Sequence, residues 1–190
     1  MLPAQVLPVD DNDIVLDTCA APGGKSTKLA TKLNHTGLLI SNDISSSRCQ
    51  GLLKNIELFG CDNAWVTSED LTNMEQHYPE TFDKILVDAP CSGEGMFLKE
   101  PDLIKSWIEK DDTFYPPIQK NILNAAISML KPGGSIVYST CTFSIHENEE
   151  VIQDVLNKHP DLHLAPINKI YGMMPGINME ECVRLYPHKI

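Results

Sequence analysis

Short apolar runs alternate along this chain with segments of helical periodicity. The runs are mostly apolar, which is typical of strands buried on both faces of a parallel sheet, and they lie at 13–17, 37–43, 64–67, 82–88 and 135–138. The segments between and after them predict helices at 25–33, 45–58, 103–108, about 116–130 and 147–157. A weaker sixth strand is predicted at 162–165, and 167–190 shows little regular pattern.

The alternation of strands and helices predicts the fold class. Such chains form βαβ units with parallel strands and right-handed connections. The length of 190 residues suits one domain with a substantial core. We therefore predict an α/β fold with a doubly wound, mostly parallel, Rossmann-like sheet in a single domain over residues 1–190. Trp65 and Trp107 are expected to be packing residues.

Acidic side chains and a glycine turn mark the carboxyl ends of the first three strands, where open α/β sheets bind ligands. The turn from Cys19 to Ser26 follows the first strand and begins a helix. Its glycines let a ligand approach the backbone, and the helix start offers N–H groups to an anion. Asp43 follows the second strand and Asp70 the third. These positions predict a nucleoside ligand, with Asp43 on the ribose hydroxyls and Asp70 on the adenine amine.

Two kinds of ligand compete for the turn. A phosphate loop requires a glycine five residues before Gly24, and Cys19 occupies that position. A nucleoside-triphosphate enzyme is therefore the weaker alternative. An adenosine cofactor without phosphates, such as S-adenosylmethionine, fits better, because its carboxylate can bind the helix N-terminus. Lys25 is expected to balance charge near Asp88 or the cofactor.

Two cysteines follow the fourth and fifth strands, Cys91 three residues after Asp88 and Cys141 three residues after Tyr138. Carbon 5 of a pyrimidine becomes nucleophilic when a thiolate adds to carbon 6 and forms an enamine. A base must later remove the proton from carbon 5 so that the thiolate can leave, and two thiols can divide this work. Asp88 can bind the cytosine edge and stabilise protonation of the ring nitrogen.

Composition and charge restrict the classes of protein that remain. The six cysteines show no C-x-x-C spacing and no zinc-type cluster, so we expect reduced thiols, no metal and a cytoplasmic location. No apolar run is long enough to span a membrane. The net charge of −11 argues against independent binding of long RNA or DNA, which depends on Lys and Arg. It leaves room for an enzyme whose binding surfaces lie on other domains.

Several segments together resemble the RNA cytosine-5 methyltransferases, the group of bacterial RsmB and RsmF and the eukaryotic Nop/Sun proteins. The matching segments are 17–26 (DTCAAPGGKS), 42–48 (NDISSSR), 88–95 (DAPCSGEG), 138–144 (YSTCTFS), 147–149 (ENE) and 184–188 (RLYPH). The resemblance covers nearly the whole chain. Residues 92–107 are most similar to the RsmF branch, which acts on small-subunit ribosomal RNA.

The resemblance implies a class I methyltransferase fold, S-adenosylmethionine as cofactor and RNA as partner, ribosomal RNA first and transfer RNA second. It makes Cys141 the nucleophile and Cys91 the thiol that assists release of the product, while Asp88 holds the target base. The implied cofactor contacts are Asp17, Cys19, Ala20, Ala21, Pro22, Gly23, Gly24, Lys25, Asp43, Arg48, Asp70 and Asp88.

The chain departs from the family in two respects. The family usually has an RNA-binding region before the core and often one after it, and neither is found here. The chain also stops where the family continues into a Gly-rich strand. We therefore expect a catalytic core whose sheet lacks its final strand, so that the fifth strand is an open edge.

Two alternatives stay open at this point. Pro90-Cys91 matches the position of the nucleophile in DNA cytosine methyltransferases, which would reverse the roles of the two thiols. In a different class, the chain is a non-catalytic cofactor-binding module of a larger RNA-modifying assembly.

Overall fold

The computed structural model describes residues 1–170 and 172–189, and its centre is a parallel sheet of five strands. The strands are β1 (Ile14–Asp17), β2 (Leu38–Asn42), β3 (Ala64–Thr67), β4 (Phe82–Asp88) and β5 (Leu130–Ser139), in the order β3-β2-β1-β4-β5. The helices are α1 (Leu2–Val6), α2 (Gly24–Leu33), α3 (Ser46–Leu58), α4 (Leu71–His77), α5 (Leu103–Glu109), α6 (Tyr115–Met129) and α7 (Glu149–Lys158). The predicted α/β fold is confirmed.

The chain divides into two compact units. The first contains Met1–Ala89 and Asn121–Ser139, and therefore the whole parallel sheet. The second contains Pro90–Lys120 and Thr140–Ile190. Within the second unit, β6 (Met173–Gly176) and β7 (Met179–Leu185) form an antiparallel hairpin.

Helices α1 and α2 cover one face of the sheet in the first unit. Leu29 and Leu33 of α2 are fully buried against Val15, Leu39 and Leu86 of three neighbouring strands. Residues three to four apart lie on one side of a helix, so this spacing places both leucines on the sheet. A second cluster joins α3 to the turn after β1, and its members are Ala20, Ala21, Leu52 and Ile56. The turn is thus anchored by apolar packing.

Strand β5 is longer than predicted and lies at one end of the sheet. It pairs with β4 alone in the described sheet, as the prediction of an edge strand requires. The strand begins at Leu130, so that Pro132 lies inside it. A proline cannot donate to a ladder, and an edge strand tolerates it because one side has no partner. The ladder also shifts register between Phe82 and Lys84.

Other expectations were wrong. Residues 162–165 are not a strand, and the segment thought irregular contains the hairpin of β6 and β7. Helices α1 and α4 were not predicted. Trp65 on the edge strand β3 is 64% exposed, so it is not the packing residue that was expected. Trp107 on α5 is 43% exposed, but its ring packs edge-on against Phe97 with the ring centroids 6.1 Å apart, as expected of a packing residue. No helix in the described parts of the chain is long and apolar enough to cross a membrane.

Candidate active site

The glycine turn after β1 has a sharply defined backbone. Gly23 has a φ of +110°, a conformation that side-chain-bearing residues rarely adopt, and a Cβ there would lie 3.0 Å from Leu52 Cδ1. The N–H of Gly23 donates to the carbonyl of Ala20 at 2.7 Å, and Ala20 N donates to Asn42 O at 2.8 Å. The peptide bond between Ala21 and Pro22 is cis. Helix α2 begins at Gly24, so its first N–H groups face the turn as predicted.

Asp17 ends β1 and is completely buried. Ser26 Oγ donates a hydrogen bond of 2.7 Å to its Oδ2. Its Oδ1 is also buried and has no hydrogen-bond partner within the described residues. Burial raises the pKa of Asp17 to about 7. A buried oxygen without a hydrogen-bond partner is a suitable acceptor for a ligand that has an N–H donor.

Asp43 and Arg48 hold the turn from the side of β2. Asp43 is buried, and its Oδ2 accepts from Ala21 N at 3.2 Å while Oδ1 accepts from Ser45 N at 3.0 Å. Arg48 Nη2 donates to Ala21 O at 2.8 Å, and its Nη1 lies 3.3 Å from Asp43 Oδ2. The two residues therefore fix both polar groups of the Ala21 backbone.

Two other residues of the predicted cofactor set have local partners. Asp70 is the N-cap of α4, and its Oδ1 accepts from Thr72 N at 2.8 Å and from Thr72 Oγ1 at 2.7 Å. These bonds, the hydroxyl first, lower the pKa of Asp70. Burial of the Cys19 thiol raises its pKa to about 12, so it stays protonated at neutral pH. Contacts of Asp70 and Cys19 with a cofactor remain predictions.

Asp88 ends β4 with both carboxylate oxygens engaged. Lys25 Nζ lies 2.5 Å from Oδ2, in the pairing that the sequence predicted. Ser139 Oγ donates to Oδ1 at 2.6 Å, a contact that the sequence analysis did not identify. The Asp88 side chain keeps 29% of its surface exposed, so the oriented carboxylate is still accessible.

The two thiols meet within the second unit. Cys91 Sγ and Cys141 Sγ are 3.2 Å apart, and Cys141 N donates to Cys91 Sγ at 3.3 Å. Cys141 is exposed, whereas Cys91 is partly buried. The hydrogen bond with Cys141, reinforced by burial, raises the pKa of the Cys91 thiol. The raised pKa favours the protonated form of the Cys91 thiol.

Glu94 ties the loop of Cys91 to the loop of Cys141. Its Oε2 accepts from Thr142 Oγ1 and from Phe143 N, each at 2.9 Å. Ser92 Oγ donates to Thr142 Oγ1 at 2.8 Å. Gly95 N donates to Cys141 O at 2.9 Å. The sequence analysis did not identify Glu94, although it lies in the segment 88–95 on which the resemblance rests.

The fold and these features define a class. A parallel five-stranded sheet with flanking helices, a glycine turn after β1 and acids after the next strands is the α/β fold of S-adenosylmethionine-dependent methyltransferases. The described residues hold no cluster of three or more His, Cys, Asp or Glu that could bind a metal ion.

The chain belongs to the family described as 16S rRNA methyltransferase RsmB/F, whose model matches residues 4–190. The Ribosomal RNA small subunit methyltransferase F of Aeromonas salmonicida is 42% identical over 165 residues, which are 85% of this chain and 35% of that protein. The protein of the same name from Escherichia coli O139:H28 is 39% identical over 181 residues, 94% of this chain and 37% of that protein. The chain thus spans little more than a third of these relatives.

A solved structure is similar over the same region. NSun6 from Pyrococcus horikoshii, determined with SFG, an analogue of S-adenosylmethionine, superposes with a TM-score of 0.86 at 34% identity. The match covers 99% of this chain and 47% of that chain. These similarities favour the methyltransferase interpretation of the glycine turn over a nucleoside-triphosphate site.

Proposed function

We propose that this chain is the catalytic domain of an enzyme that methylates carbon 5 of cytosine in RNA, with S-adenosylmethionine as methyl donor and small-subunit ribosomal RNA as substrate. The observation that carries the proposal is the distance of 3.2 Å between Cys91 Sγ and Cys141 Sγ. The names of the relatives support the choice of RNA. Because the chain spans only part of those proteins, the RNA partner and a cytoplasmic location are parts of the proposal.

The turn after β1 fits the methionine end of the cofactor. Asp17 Oδ1 is buried without a hydrogen-bond partner among the described residues, so the cofactor's amino group is a suitable donor. The N–H groups at the start of α2 suit its carboxylate, and Asp43 and Asp70 suit the ribose and the adenine. The bound cofactor supplies an electrophilic methyl group on sulfonium sulfur.

Cys141 is the nucleophile in this proposal. It is the exposed thiol of the pair, whereas Cys91 is partly buried and its pKa is raised. A thiolate at Cys141 adds to carbon 6 of the ring and moves the electron pair of the double bond toward carbon 5. This arrangement argues against the reversed assignment, in which Cys91 would have to ionise first.

Cys91 becomes the base after the adduct has formed. The hydrogen bond to Cys141 is the first cause of its raised pKa. Once the Cys141 sulfur is bonded to carbon 6, it carries no negative charge, and Cys91 can release its proton to water. The Cys91 thiolate then takes the proton from carbon 5, the double bond reforms, and Cys141 leaves as a thiolate. The resting protonation of the pair is restored.

Asp88 is the base-binding carboxylate in this proposal. It lies three residues before Cys91, and Lys25 and Ser139 fix its orientation. A carboxylate can accept from the 4-amino group of cytosine and stabilise positive charge on the ring nitrogen during addition. The target base must leave its stack to reach these groups.

Covalent trapping tests this function. The protein is mixed with S-adenosylmethionine and RNA that contains 5-azacytidine, and denaturation-resistant adducts are measured by mass spectrometry. We expect an adduct with wild type and with Cys91→Ala and none with Cys141→Ala. An adduct lost only in Cys91→Ala would reverse the two thiols. Cofactor binding without any adduct would favour the non-catalytic module, an interpretation consistent with the net charge of −11.

A further inference from the structure

A buried amide and a buried carboxylate hold the backbone on both sides of Cys91. Gln119 Nε2, on α6, donates to the carbonyl of Pro90 at 2.9 Å and to Glu147 Oε2 at 2.9 Å. The same Glu147 oxygen accepts from Ser92 N at 3.0 Å. The peptide groups that flank Cys91 are therefore both bound by one pair of side chains.

Burial of these two polar side chains is energetically unfavourable if their role is only to fill the core. Gln119 is 0% exposed and Glu147 is 2% exposed. Gln119 Oε1 is buried without a partner in the described part of the chain, and such a group costs about 1–3 kcal/mol. Apolar side chains of similar volume often fill such a space with equal or greater stability. Stability alone therefore does not account for the pair, whereas a constraint on the Cys91 backbone does.

Different side chains bind the backbone beside each of the two thiols. Glu94 binds the Thr142 hydroxyl and the Phe143 N–H, on the side of Cys141. Gln119 and Glu147 bind the groups on either side of Cys91. Loss of the Gln119 amide should therefore displace Cys91 and leave the contacts of Glu94 with the Cys141 loop in place.

We propose that Gln119 and Glu147 are positioning residues for Cys91, which keep its thiol against Cys141 in the geometry that product release requires. The catalytic part of this inference rests on the proposed function. The positional part does not, because the distance between the sulfurs can be probed without RNA or cofactor.

The first test uses the rate of disulfide formation as a measure of that distance. Diamide takes two hydrogen atoms from a thiol pair as the S–S bond forms and is itself reduced to the hydrazine. The Cys91–Cys141 disulfide is quantified in non-reducing peptide digests over time. Gln119→Met keeps the volume and removes the donor, and it should slow closure about tenfold or more. The variant Glu147→Gln keeps an oxygen that can accept from Gln119 and Ser92, so its rate of disulfide formation should stay near that of wild type.

The matched control is Gln153→Met, an exposed residue of α7 whose amide bonds Asn157, and it should leave the rate unchanged. Each variant is first checked for cooperative urea unfolding. Closure of the disulfide in folded Gln119→Met at the wild-type rate would overturn the proposal.

The second test separates positioning from a general structural role. With RNA that contains ordinary cytosine, Gln119→Met should accumulate the covalent adduct as Cys91→Ala does, while the rate of adduct formation stays within about threefold of wild type. Equal losses of adduct formation and release would contradict a specific effect on Cys91. If wild type forms no adduct with any RNA, the proposed function fails, and the disulfide rates still decide the positional claim.

Discussion

Asp88 and Ser139 stand opposite each other in the ladder between β4 and β5, and Ser139 Oγ donates a hydrogen bond of 2.6 Å to Asp88 Oδ1. Lys25 holds the other oxygen. A carboxylate bound from two sides keeps one orientation while it remains accessible. This preorganisation is the property that electrostatic catalysis needs, because the group does not reorient during the reaction.

Removal of the Asp88 charge should reduce methyl transfer far more than it reduces stability. We expect Asp88→Asn to lower kcat by about 10²–10³-fold, the range typical of a lost electrostatic contact in a transition state. Ser139→Ala should have a smaller effect, because it only loosens the carboxylate. Methyl incorporation into RNA at saturating cofactor measures both. Asp102→Asn, at a fully exposed acid, is the control, and a wild-type kcat in Asp88→Asn would exclude the proposed role.

Asp17 should make the folded state less stable as pH rises from about 4 to 7. Burial raises its pKa from 3.8 to about 7, so between these values the folded protein binds a proton that the unfolded chain has lost. Relative to Asp17→Asn, the free energy of unfolding of wild type should fall by up to about 3 kcal/mol between pH 5 and pH 8. Urea unfolding at the two pH values measures this. An unchanged difference would mean that Asp17 ionises normally.

Gly95 should tolerate no side chain, because a Cβ there would lie 2.9 Å from the carbonyl oxygen of Cys141. Gly95→Ala must push the Cys141 backbone away, and we expect adduct formation to fall about tenfold or more. Gly51 on α3 has no atom within 4 Å of its ideal Cβ, so Gly51→Ala should preserve the adduct and stabilise the helix by up to about 1 kcal/mol. The trapping assay and urea unfolding compare them, and equal adduct yields would refute the steric argument.

Breaking the buried ion pair of Arg184 and Glu149 should strongly destabilise the second unit. Both side chains are 8% exposed, and Arg184 Nε lies 2.6 Å from Glu149 Oε1. Arg184 Nη1 also donates to Phe143 O at 2.8 Å. Arg184→Met would leave a carboxylate buried without its cation, at a cost of about 3–5 kcal/mol.

The control for this prediction is Lys120→Met, at a pair whose side chains are each 31% exposed, where we expect about 1 kcal/mol or less. The double variant Arg184→Met with Glu149→Leu should lose less than the sum of the single variants, since no charge is stranded. Urea unfolding of all the variants supplies the values. If Arg184→Met and Lys120→Met lower the free energy of unfolding by similar amounts, burial does not make the first ion pair more important than the second.

The sheet could be predicted because its signals are local. The bounds of β3 and β4 agree with the apolar runs at 64–67 and 82–88, and the residues that end or follow β1, β2 and β4 are the predicted acids. The hairpin of β6 and β7 escaped prediction because β6 has only four residues, one of them Pro175, and its pairing shifts register beside that proline. Such short strands show no reliable alternation.

The sequence predicted only those residues of the site whose type and position indicate a chemical role by themselves. Cys91 and Cys141 follow strand ends closely, so their meeting could be inferred from the order of the elements. Gln119 carries no comparable signal, since a glutamine in a helix is most often a surface residue. Its importance depends on a bond to Pro90, which lies 29 residues away in the chain. Only the folded backbone brings these two groups together.

Each thiol-bearing loop is held in part by an acid from the other. Glu94, after Cys91, secures Thr142 and Phe143, and Glu147, after Cys141, secures Ser92. Complete disorder of either loop would therefore remove an anchor of the other, so full opening should involve both loops together. Loss of the single Gln119 amide is a smaller change, which shifts only the backbone beside Cys91. Molecules with an ordered Cys141 loop and a disordered Cys91 loop should be rare. In an enzyme that bonds covalently to its substrate, this coupling would limit the fraction of molecules that form an adduct with RNA and cannot release it.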